Sequence, residues 1–106
     1  MKSNEQFLKA IHEKRVLSVT LISDEKGTIT RKCIPFDFGP SRKYKDGLNR
    51  YHFWDLDSPD GSHNLSILPE RLVEIKILDE TFNPVDFVKW RKPFNWFVKR
   101  NWGEFS

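Results

Sequence analysis

Residues 41–52, SRKYKDGLNRYH, set four cations (Arg42, Lys43, Lys45 and Arg50) among three rings (Tyr44, Tyr51 and His52), with Asp46 as the one acid. Cations neutralise phosphates and aromatic faces stack on bases, so this alternation is chemistry for an anionic ligand, a nucleotide or single-stranded nucleic acid. Arg31 upstream and Arg71 downstream are further cations that a fold could bring to the same surface. The competing reading is a solvated loop whose rings tuck into a core, with Arg31 and Arg71 held in structural ion pairs by acids such as Asp37, Glu70 or Glu74.

Other chemistry finds less support in the residues. His12, His52, His63 and Cys33 are scattered with no CxxC, HxxxH or HExxH spacing, so no metal site is expected. The five glycines stand singly among turns, so no glycine-rich phosphate loop is formed. Asp55, Asp57 and Asp60 lack the spacing of a calcium loop and read more simply as caps of a turn. No catalytic residue and no cofactor is assigned, and the chain is read as non-enzymatic.

A second basic-aromatic segment lies at the C-terminal end. Residues 85–106 carry Lys89, Arg91, Lys92, Lys99 and Arg100 against Asp86 and Glu104, whereas residues 1–84 balance thirteen Lys/Arg with thirteen Asp/Glu. The whole excess of +3 therefore belongs to this tail. It also holds Trp90, Trp96 and Trp102 with Phe87, Phe94, Phe97 and Phe105. Such a segment could bind an anionic membrane or a single strand, or pack its rings on the body or on a second copy of the chain. Phe87, Trp90 and Phe94 at helical spacing favour packing, because contiguous exposed apolar patches are uncommon on monomers.

The elements that must position these residues follow from periodicity and turn signals. Ser3 and Gln6 fit a capping box, and Phe7, Ala10, Ile11 and Lys14 recur at helical spacing, which predicts a helix over 4–14. Residues 16–22 alternate as a half-buried strand with Leu17, Val19 and Leu21 on one face. A turn at 24–27 and a strand over 28–37 complete an antiparallel hairpin, and Gly39-Pro40 is expected to break that strand. Strands over 50–57 and 63–68 flank a Ser58-Pro59-Asp60-Gly61 turn. A single helical turn at 69–71 precedes a last strand over 72–78, with Val73, Ile75 and Ile77 as its apolar face. Asn83 as cap and Pro84 at the first position predict a second helix ending before Pro93.

In 106 residues with 38% apolar side chains and fifteen aromatics, this order suits one folded domain and excludes a multidomain enzyme or a disordered chain. The expected class is mainly β with flanking helices: a five-stranded antiparallel SH3-like or Sm-like barrel over about 16–78, with an extension over 83–106. The lone Cys33 excludes an internal disulfide. No stretch approaches the roughly 20 apolar residues of a bilayer span, and no signal-peptide run opens the chain, so a cytoplasmic protein with no membrane partner is expected.

Several of these segments resemble the WYL domain, a small Sm-like barrel found mostly in bacterial regulators. FLKAIHEKRVLSVTL is similar to the family's helix and first strand. RKCIPFDF places Arg31 and Pro35 on recurrent positions, and LSILPERLVEIKILDETF places Arg71 and Phe82 on others. Tyr51-His52-Phe53 stands where the family carries Trp-Tyr-Leu, and Leu65-Ser66-Ile67 departs from the fourth-strand pattern. The resemblance implies a ligand-sensing or nucleic-acid-binding module of transcription regulation, here without the helix-turn-helix that usually accompanies it. The expected ligand surface is Arg31, Arg42, Lys43, Tyr44, Lys45, Arg50, Tyr51, His52 and Arg71, for an anionic ligand, nucleotide or single-stranded nucleic acid. The alternative is a protein-interaction or homodimerisation module acting through Trp90, Phe94, Trp96 and Phe97.

Overall fold

A computed structural model of the chain describes residues 2–58, 61 and 63–106. The N-terminal helix α1 covers Lys2–Glu13 and buries Phe7, Ala10 and Ile11 completely. It starts ahead of the expected capping box, so Ser3 lies in its first turn rather than at its cap. Lys14 ends it in the left-handed region at φ 56°, and its carbonyl accepts from Phe82 N.

Five antiparallel strands follow: β1 Arg15–Ser23, β2 Gly27–Pro40, β3 Asn49–Asp55, β4 His63–Ile67 and β5 Leu72–Thr81. The sheet order is β4-β3-β2-β1-β5. All the expected strands are present, and the turn before β5 is a single 3₁₀ turn at Pro69–Arg71. The expected closed barrel is not formed, because β4 pairs only with β3 and β5 only with β1, which leaves the sheet open. The proposed turn at 58–61 includes Pro59 and Asp60, which lie outside the described residues.

Two irregularities redirect side chains. On β5, Thr20 faces Glu74 while Leu21 faces Leu72, so Val73 is an extra residue. It stands 53% exposed instead of joining the apolar face with Ile75. On β2, Pro35 faces Phe53 and Asp37 faces His52, so Phe36 is extra. A bulge tolerates a proline, which has no N–H to give the ladder, and it puts Phe36 and Asp37 on the same side of the sheet. β2 does not break at Gly39; it pairs with β3 through Pro40.

The two faces of β3 show how the core is divided. Tyr51 and Phe53 point to α1, with rings 4.8 and 5.4 Å from Phe7. His52 and Trp54 point the other way, where Trp54 meets Phe87 of the tail. The expected C-terminal helix is absent. Asn83 does cap, its side chain accepting from Val85 N, but only a 3₁₀ turn at Pro84–Asp86 forms, and the chain then runs irregularly to a second 3₁₀ turn at Gly103–Phe105. Nine residues ahead of a proline are too few to sustain a helix on propensity, and here the rings find separate partners instead. Phe87 sits among Phe36, Phe82, Trp90 and Trp102, a cluster one helical stripe could not supply.

Candidate functional site

Two anchors hold the tail on the body: Trp102 Nε1 donates to Ile11 O at 2.9 Å, and Asp37 receives the tail's backbone. Trp96 Nε1 donates to Phe105 O at 2.8 Å and so ties the tail to itself. The Asp37 carboxylate accepts from Phe97 N at 3.1 Å and Val98 N at 2.9 Å, and Arg100 Nη2 lies 3.4 Å from it. The bulge at Phe36 is what turns this buried carboxylate toward the tail. The Arg100 side chain has no exposed surface and lies between the Trp96 and Trp102 rings, 4.1 and 4.4 Å from their centroids. Burial lowers its pKa to about 10, with Asp37 acting in the opposite direction. Gly39 is required where the tail crosses β2: a Cβ there would stand 2.5 Å from Phe97 Cδ2.

This docking creates a groove of about 520 Å³ between the 41–48 loop and the tail. Arg42, Lys43 and Tyr44 line it from the loop, and Trp90, Arg91 and Phe97 from the tail. Among the described residues Asp37 is its one acid, and that carboxylate is already occupied. Arg42, Lys43 and Arg91 have no ion pair among the described residues, whereas most arginines of the body do. Tyr44 is 50% exposed, Trp90 37% and Phe97 62%, so aromatic faces and unneutralised cations share one concave surface. His52 and Ser66 form part of its floor. His52 Nε2 donates to Gly39 O at 2.9 Å, since a carbonyl can only accept, and Nδ1 bonds Ser66 Oγ at 2.8 Å. Both ring nitrogens are engaged, which fixes the orientation of the His52 ring in the floor of the groove.

The nine residues expected to form one surface are distributed differently. Arg42, Lys43, Tyr44 and His52 line the groove. Arg31, Arg50 and Arg71 line a separate cavity of about 460 Å³ on the far side of Tyr44, which borders both. Arg50 is clamped by Asp46 through two hydrogen bonds of 2.9 Å and lies under the Tyr44 ring at 4.1 Å. The Arg50 hydrogen bonds hold the Asp46 carboxyl down at about 2. Arg31 approaches Asp55 at 3.8 Å and donates to Asp57 O at 2.9 Å, and Arg71 pairs with Asp24 at 2.7 Å. Lys45 is exposed and lines neither space. Tyr51 also lines neither: strand alternation turns it into the core against Phe7 and Phe38, and its hydroxyl donates to Asn4.

The residues alone do not assign Arg91, or Trp90 and Phe97, to the surface of the loop. The basic-aromatic composition of both segments was visible in the chain, but their meeting depends on where the Phe36 bulge points Asp37. Among the described residues no group of three or more His, Cys, Asp or Glu could hold a metal ion, and no helix is long and apolar enough to cross a membrane. No known protein family, no curated protein and no solved structure matches this chain.

Proposed function

We propose that the chain is a non-enzymatic regulatory module that binds an anionic, base-bearing ligand, a nucleotide or single-stranded nucleic acid, in the groove between loop and tail. The observation that carries this reading is the coincidence of three cations with no ion pair among the described residues, Arg42, Lys43 and Arg91, with the exposed rings of Tyr44, Trp90 and Phe97 on one concave surface. Phosphates are held by the cations and bases lie on the rings, so affinity comes from counterion release and stacking. The order β4-β3-β2-β1-β5, with a 3₁₀ turn between β4 and β5, supports reading the body as an opened relative of the SH3-like or Sm-like barrel, and with it the WYL-like ancestry. A cytoplasmic place in transcription regulation accompanies that reading.

Titration of tryptophan fluorescence with nucleotides and short single-stranded DNA and RNA, at two salt concentrations, tests it. Three phosphate contacts on a single strand give a slope of about −2 in log affinity against log salt. Replacing Arg42, Lys43 and Arg91 together by Ala removes binding and its salt dependence. Undiminished binding by that variant overturns the assignment.

A further inference from the structure

The cavity on the other side of Tyr44 uses the cations that the groove leaves out, and its chemistry differs. Its walls include Leu21, Ile29, Leu65 and Ile67, with Leu21 and Ile67 nearly fully buried, so a solvent-open space of about 460 Å³ ends on apolar side chains. That volume lies within the range of small-molecule sites, which combine apolar walls with a few placed polar groups. Arg31 and Arg71 are those groups. Each engages the protein through one guanidinium nitrogen, Nη1, leaving the rest of its donors without a partner among the described residues. The Arg71–Asp24 pair is exposed on both sides, 42% and 82%, so water screens it and a ligand oxygen can replace Asp24 at little cost. A carboxylate brought against the apolar wall gains more from an arginine fork than Asp24 does in water. Among the described residues the lining carries four cations and three carboxylates, a near balance that suits a singly charged head group and disfavours a polyphosphate.

We infer that this cavity binds a small organic acid with an apolar body, its carboxylate on Arg71 and Arg31 and its hydrocarbon against Leu21, Ile29, Leu65 and Ile67. Binding here is independent of the groove's three cations. Tyr44 borders both spaces and covers Arg50, so its ring forms the partition between them.

Octanoate and octanol, titrated into the full ¹⁵N-labelled chain, test the assignment with one hydrocarbon and two head groups. Octanoate is expected to bind saturably, with amide shifts at Ile29, Leu65 and Arg71, and octanol at least about ten-fold more weakly. Arg71→Gln should weaken octanoate about ten-fold without changing octanol, and Asp24→Asn should strengthen octanoate several-fold by releasing Arg71. The Arg42, Lys43 and Arg91 triple alanine variant should leave octanoate affinity unchanged, which separates failure of this site from failure of the groove. No octanoate binding, equal affinity for acid and alcohol, or shifts confined to Trp90 and Phe97 overturns the inference, and these wild-type readouts depend on no variant folding.

Discussion

The 41–48 loop and the tail from residue 83 onward are both basic and aromatic, yet the fold treats them in opposite ways. The tail's rings are mostly part of the core: Phe87 and Trp102 are almost fully buried and Arg100 is enclosed between two indoles. The loop leaves Arg42, Lys43 and Lys45 in water. Composition is shared, and what separates the two is the acceptors waiting for them. Asp37 and the Ile11 carbonyl receive the tail, whereas the loop brings only Asp46, which Arg50 consumes. A cation without a carboxylate stays available for a ligand.

Substitutions can break this contrast from the tail's side first. Phe87→Ala opens a cavity where five rings, Phe36, Trp54, Phe82, Trp90 and Trp102, converge, and should cost about 3–5 kcal/mol in urea unfolding. A cost below about 1 kcal/mol would mean that the tail is an arm rather than core. Asp37→Ala leaves Phe97 N, Val98 N and Arg100 without their acceptor. About 3 kcal/mol is expected, with the Trp90 and Phe97 side of the groove released and ligand affinity falling alongside.

On the loop's side the effects on folding shrink while those on binding do not. The Arg42, Lys43 and Arg91 triple alanine variant should unfold within about 0.5 kcal/mol of the parent while losing the ligand. A larger loss would place these residues among the structural cations. The smallest effect belongs to the Asp46–Arg50 clamp. Because the folded carboxyl is held at about 2, below the unfolded value near about 4, its contribution is fully present above the unfolded value and is lost as pH falls through the folded one. The difference in urea midpoint between the parent and Asp46→Asn should therefore be constant at neutral pH and vanish toward pH 2. A difference that persists there excludes the ion pair as its source.

Local patterns carried most of the sheet. β1 is legible because Leu17, Val19 and Leu21 alternate with Ser18 and Thr20, and the turn residues around Gly27 and Pro69 leave few alternatives. Val73 reads as part of the apolar face of β5 but is exposed, because the bulge that turns it out depends on the register of β1 against β5, which the residues of β5 do not encode alone. Gly39-Pro40 looks like a break by type, but at the end of a strand paired with Asn49 and Arg50 it costs the ladder little. The candidate site was half legible: Arg42, Lys43, Tyr44 and His52 do share a surface, while Tyr51, one position from His52, faces the core through the same period of two.

By itself, then, the sequence determined the first helix, the five strands, their order and the presence of two basic-aromatic segments, because periodicity, capping and turn chemistry are short-range properties. Only the tertiary structure decided that the sheet stays open, that the tail abandons its helix, and that tail and loop enclose one groove while Arg31, Arg50 and Arg71 border another space. For the tail, the physical reason is that one extra residue in β2 turns a carboxylate toward it. Burying the rings of residues 87–102 against that face then outweighs the weak helical preference of a short segment.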